Sequence, residues 1–152
     1  MRNLKTKVIA VVALLLVAVF CFASCNKNGE EVATYNENGE TVIAAEGLWK
    51  TATYRKNVTV GEGSKEVKIA VEINGQFITI TLKTDKAKLG EALFAEELIN
   101  DATFFDTLNG IKADWNKDRA YWGFYKGEEY MTVGVNDVTI SGGESYRFVY
   151  TK

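Results

Sequence analysis

Between residues 67 and 82 apolar and polar positions alternate almost without a break. "VKIAVEI" places Val67, Ile69, Val71 and Ile73 on one face and Lys68 and Glu72 on the other, the period-two pattern of a half-buried strand. Asn74-Gly75 follows, the strongest short hairpin signal, because a type I′ turn needs positive φ at both central residues. "FITITL" then returns with Ile78, Ile80 and Leu82 on one face and Thr79 and Thr81 on the other. In "TDKAKLGEALFAEELIN" (84–100) the period becomes helical: Leu89, Ala92 and Leu93 share a face with Glu96 at its margin, and Asp85 is placed to cap the start. Beyond it, "TFFDTLNGI" (103–111) predicts a strand and "RAYWGFYKGEEYMTVGV" (119–135) a hairpin turning at Lys126-Gly127. "ESYRFVYTK" (144–152) predicts a last strand.

Two strands, a helix and then more strands imply an α+β domain, with a β-grasp-like (ubiquitin-like) mixed sheet around one main helix. Upstream, "LWKTATYRKNVTVGEGSK" (48–65) places Trp49 and Tyr54 at the rim of this domain. Its "GEGSK" is a turn and not a phosphate loop, because the glycine spacing is too short and Lys follows Ser. Residues 26–46 are polar, acidic and rich in Gly and Asn, as expected of a flexible spacer, so the domain is taken to run from 47 to 152.

The first 24 residues carry a different signal. Arg2, Lys5 and Lys7 precede an unbroken apolar run of fifteen residues, Val8 to Phe22, and "FASC" (22–25) closes it. A spanning helix needs roughly 20 apolar residues, so the run fits a signal-peptide core. Small residues directly before Cys25 resemble a bacterial lipobox, in which the cysteine is lipidated and becomes the new N-terminus. The expectation is a lipoprotein signal peptide (1–24), a lipidated Cys25 and a spacer to residue 46. The domain would then be held outside the cytoplasm on a bacterial membrane.

Composition narrows the chemistry. Of the two cysteines, Cys21 leaves with the signal and Cys25 takes the lipid, and the chain has no histidine. Thiol, disulfide and Ser–His or Cys–His nucleophile chemistry are therefore not expected, nor is a thiolate or imidazole metal site. No spacing of acids singles out a glycosidase pair, so binding without catalysis is the expectation. The mature chain carries fifteen cations against twenty acids. With no basic stripe, nucleic acid is not an expected partner.

The aromatic stretch at 115–130 is the candidate binding element. Alternation in "AYWGFYK" sets Trp122 and Phe124 toward the core, leaving Tyr121 and Tyr125 on an open face flanking Gly123. Trp115 from the preceding turn and Tyr130 across the hairpin would join them, forming a flat floor for a planar ligand or a partner's chain. Ordinary cross-strand aromatic packing accounts for the same pattern and is worth about 0.2–1 kcal/mol per pair. Asp114, Asn116 and Asp118 match the opening of a calcium loop. Arg119 and Tyr125 then stand where the loop's Gly and bidentate Glu belong, so an Asx-rich turn is expected in place of calcium.

The order "TDKAKLGEAL" (84–93), "NGIKADWNKDRAYWGFY" (109–125), "GV" (134–135) and "GESYRFVYT" (143–151) resembles a small domain of bacterial surface lipoproteins. That domain is related to the C-terminal β-domain of transcobalamin and intrinsic factor. The resemblance runs from about residue 67 to the C-terminus; related sequences commonly carry Gly where this chain has Arg119. It implies a binding domain and, as ligand, a cobalamin-like corrinoid. In the vitamin carriers a larger helical domain covers the ligand's other side, so this domain offers one wall of such a pocket. A protein-interaction or adhesion module on the cell surface is the alternative implied by the aromatic hairpin.

Overall fold

The computed structural model describes residues 34–35 and 40–152; the signal segment, Cys25 and most of the expected spacer lie outside the described residues. In chain order the strands are β1 (Thr34–Tyr35), β2 (Thr41–Val42), β3 (Val58–Val60), β4 (Lys65–Ile73) and β5 (Gln76–Thr84), followed by helix α1 (Leu89–Ala95). Then come β6 (Thr107–Leu108), β7 (Ile111–Lys112), the short helix α2 (Trp115–Asp118), β8 (Tyr121–Lys126), β9 (Glu129–Tyr130) and β10 (Ser145–Thr151). The domain is mixed α+β. Its six-stranded sheet runs in the order β3-β5-β4-β10-β8-β9, with β10 parallel to β4, β3 parallel to β5 and the other pairs antiparallel.

The β4–β5 hairpin forms as its alternation dictates. Asn74 and Gly75 take φ of 51° and 81°, and Ile73 pairs with Gln76. Val67, Ile69, Val71, Ile73, Ile78, Ile80 and Leu82 are all buried against α1 and the loops beneath the sheet. Burial of each such side chain stabilises by roughly 1.5–3 kcal/mol. At the far end of the same face the core turns aromatic: Phe124 stacks on Phe148 at 4.9 Å between centroids, and Phe105 meets Phe148 edge-on at 5.8 Å.

The structure departs from the sequence pattern at several points. The helix covers Leu89–Ala95 only, and Asp85 does not cap it. The Asp85 carboxylate instead accepts from the backbone N–H and hydroxyl of Ser64, at 2.8 and 2.7 Å, and so fastens the 61–65 turn. The helix start is held by backbone bonds from Leu89 N to Val138 O and from Gly90 N to Val135 O. Its end is a Schellman motif: Glu97 has φ 54°, Glu97 N donates to Phe94 O and Leu98 N to Leu93 O.

The single strand expected over 103–111 is replaced by a tight β6–β7 hairpin about Asn109-Gly110 (φ 51° and 77°), preceded by a bend over 101–106. The β8–β9 turn lies at Gly127-Glu128, because Lys126 pairs with Glu129. Trp49, placed at the rim by the sequence, is fully buried in a 3-10 helix spanning Gly47–Thr51. Ile43, from the stretch read as spacer, is 1% exposed. Its N–H donates to Arg55 O at 2.7 Å, so the packed body reaches upstream of residue 47.

Candidate functional site

Two turns begin at aspartates, each of which fixes an exposed aromatic ring. Asp101 Oδ1 accepts from Thr103 N at 2.7 Å and Phe104 N at 2.9 Å. Asp114 Oδ1 accepts from Asn116 N and Lys117 N, each at 3.0 Å. The first turn projects Phe104, 86% exposed; the second caps α2 and presents Trp115, 55% exposed. These N–H bonds, from Phe104 first at Asp101 and from Lys117 first at Asp114, hold both carboxyls below the usual carboxylate range. Arg119 closes α2 in the left-handed conformation at φ 57°. Its guanidinium lies 5.5 Å from the Trp115 ring centroid, and Trp115 meets Tyr121 edge-on at 6.2 Å.

Between these loops and the segment after β9 lies a half-open cleft of about 720 Å³. Phe105, Trp122 and Phe124 form part of its floor, and Phe104, Trp115, Tyr121, Tyr130 and Val133 also line it. Those last five belong to the seven exposed large hydrophobic residues among the described residues; the other two are Phe77 and Phe94. Exposed apolar surface on this domain is therefore gathered chiefly around one concavity, which is how binding sites differ from ordinary surface. Its volume falls in the range of small-molecule sites, roughly 300–1,000 Å³.

One wall is charged. Lys112 Nζ lies 3.4 Å from Asp106 and 3.7 Å from Asp114, and all three line the cleft. Asp106 also accepts from Thr107 Oγ1 at 2.8 Å and Asn100 Nδ2 at 2.9 Å. The Thr107 bond, with Lys112 nearby, keeps its carboxyl below the usual range against the opposing effect of burial.

The expected site residues divide. Trp115, Tyr121 and Tyr130 come together along the cleft, whereas Tyr125 does not line it. Tyr125 instead meets Tyr130 edge-on at 5.3 Å and takes the Arg147 guanidinium 4.7 Å from its centroid, and its ring lies over Gly123. The flat floor expected between Tyr121 and Tyr125 is thus filled from within. Phe124 is buried and Trp122 partly so, on the face assigned to them, but the cleft opens toward that face. Asp114, Asn116 and Asp118 form the cap and body of α2. Among the described residues no group of three or more acidic, Cys or His side chains is arranged to hold a metal ion. The sequence reading did not find Phe104, Asp106, Lys112 and Val133. The one signal for them was "TFF" beside an aspartate, which reads equally as a strand.

No family model matches the chain, and no curated protein matches it. Among solved structures, a protein of Ruminococcus gnavus ATCC 29149 proposed to bind metal superposes with a TM-score of 0.54 at 21% identity. The match covers 59% of this chain and 98% of that one. Haptocorrin in complex with Cbi matches with a TM-score of 0.40 at 20% identity, over 61% of this chain. The chain spans about a quarter (26%) of haptocorrin's length. At these identities the Ruminococcus likeness is one of fold.

Proposed function

We propose that this chain is a membrane-anchored, extracytoplasmic lipoprotein that captures or presents a small ligand in the aromatic cleft, without catalysis. The observation that carries this reading is that five of the seven exposed large hydrophobics among the described residues line one 720 Å³ concavity. Leaving Phe104 and Trp115 in water on loops fixed by Asp101 and Asp114 forgoes the gain of burying them. A ligand that covers them recovers it, with little ordering cost because both turns are already set.

Anchoring through Cys25 rests on the lipobox-like "FASC". The strand order β3-β5-β4-β10-β8-β9, with β4 and β10 parallel at its centre, supports a β-grasp-like arrangement. The cobalamin-like corrinoid comes from the sequence resemblance; a ring of that breadth would be covered on one side only, leaving the other to a second protein or copy. The alternative, a surface protein-interaction or adhesion module, is favoured by Phe104, whose 86% exposure suits a partner's apolar patch.

The test is titration of the mature polypeptide (residues 25–152) with a corrinoid panel, followed by tryptophan fluorescence, with Trp115→Ala and Tyr121→Ala as controls. Saturable quenching that both variants weaken supports the reading. No quenching by any corrinoid at high-micromolar concentration removes unaided corrinoid capture and shifts weight to the protein partner.

A further inference from the structure

We propose that the trio Asp106, Lys112 and Asp114 makes the cleft selective for ligands whose polar edge is uncharged and carries both donors and acceptors. Primary amides fit best, and carboxylate-bearing analogues are turned away. This rests on the cleft being a ligand site, and it names the ligand's chemistry on the charged wall. One ammonium there faces two carboxylates, at 3.4 and 3.7 Å, so the wall carries a net charge of about −1.

The carboxylates cannot swing aside for an incoming anion. Asp106 Oδ1 is engaged by Asn100 Nδ2 and Thr107 Oγ1, and Asp114 Oδ1 by two backbone N–H groups of α2. Nor does the adjacent cation compensate, since the Arg119 guanidinium sits over the Trp115 ring. A carboxylate reaching for Lys112 therefore comes within a few ångströms of two fixed anions. A primary amide instead offers its C=O to Lys112 and its N–H groups to the aspartate oxygens, which keep lone pairs to accept them. Asn116, also at the cleft, adds a neutral donor and acceptor beside them.

Lys112, Asp106 and Asp114 side chains are 57%, 40% and 33% exposed. Solvent screening therefore holds the discrimination to roughly five- to tenfold, and it shrinks further as salt rises.

The experiment compares 1-pyrenebutyramide with 1-pyrenebutyrate, the same ring bearing an amide or a carboxylate. Each is titrated into the mature polypeptide and followed by energy transfer from tryptophan to pyrene. The amide is expected to bind more tightly by about fivefold, and Trp115→Ala to weaken both probes. Asp106→Asn keeps an acceptor oxygen for Asn100 and Thr107 while removing the charge, and narrows the ratio. Lys112→Gln removes the cation and widens it. The two variants thus move the ratio in opposite directions, and near-UV circular dichroism establishes that each is folded; if one is not, the other decides. Equal binding of both probes, tighter binding of the carboxylate, or a ratio unmoved in the folded variants overturns the selectivity while leaving the cleft a ligand site. Binding of neither probe overturns the ligand site itself, and the selectivity with it.

Discussion

The side-chain amide of Asn109 pairs with both backbone groups of Tyr54, accepting from Tyr54 N at 2.9 Å and donating to Tyr54 O at 2.8 Å. Asn109 is fully buried and adopts φ 51° at the β6–β7 turn. Its own N–H donates to Leu98 O, and its carbonyl accepts from Thr53 N. One asparagine thus ties together the segment after the 3-10 helix, the loop after α1 and the β6–β7 hairpin. Asn109→Ala would leave Tyr54 N and O without these partners and put a residue poorly suited to positive φ in the turn. The expected cost is about 3 kcal/mol, read as a lower urea midpoint at unchanged m-value.

A second position reverses an ordinary helix rule. Gly90 lies inside α1, where Ala is normally better by about 0.8–1 kcal/mol. A Cβ at Gly90 would stand 2.4 Å from Ala102 O, a backbone atom that cannot rotate away, and 3.1 Å from Asn136 N. Both Gly90 and the carbonyl belong to segments bordering the cleft loops. Gly90→Ala is therefore expected to destabilise by about 1–3 kcal/mol, measured by thermal unfolding. A Tm at or above that of the parent would contradict this packing.

The legible parts of this chain were those where one physical signal dominates. In β4 and β5 burial on one face only forces period two, and Asn74-Gly75 fixes the register; β10 reads out for the same reason. The expected helix is longer than the observed one because its start relies on tertiary partners and its end lacks the usual glycine signal. Asp85 turns to Ser64, and a glutamate at 97, where glycine is usual, takes the left-handed position. Tyr125 was placed in the site by alternation alone, which cannot foresee that Arg147, 22 positions away in sequence, would occupy its ring. The charged wall was illegible for a similar reason. Asp106, Lys112 and Asp114 meet only after the Asn109-Gly110 turn folds β6 onto β7, and no local pattern marks them.

Arg119 combines a backbone cost with a side-chain gain, and the two can be separated. At φ 57° a non-glycine residue is disfavoured by roughly 1–2 kcal/mol, while its guanidinium over Trp115 returns about 0.5–1 kcal/mol at an exposed site. Arg119→Ala removes the stacking and keeps the strain; Arg119→Gly removes both. The glycine variant is expected to be the more stable of the two by about 1 kcal/mol. Both should shift the Trp115 emission equally, because both uncover the same ring. Equal stability of the two variants would show that the α2 terminus relaxes out of the left-handed conformation.

The aspartates that set the cleft's aromatic rims give it an acid limit. The Asp114 carboxyl is held below the ordinary carboxylate range, first by the Lys117 N–H and, more weakly, by Lys112 and the Asn116 N–H; Asp101 is lowered by the Phe104 and Thr103 N–H groups. A carboxyl whose folded pKa is depressed contributes its stabilisation fully above the unfolded value, about 3.9. That stabilisation is lost as pH falls through the lower folded value. Trp115 presentation is therefore expected to be constant from neutral pH down to about 5, with the α2 cap released only below the usual aspartate range. The measurement is Trp115 fluorescence, taken as the difference between the parent and Trp115→Phe, between pH 6 and 2. Asp114→Asn, which still accepts hydrogen bonds but does not ionise, should flatten that transition. A transition of unchanged midpoint and amplitude in Asp114→Asn would assign it to another group and detach Trp115 from its cap.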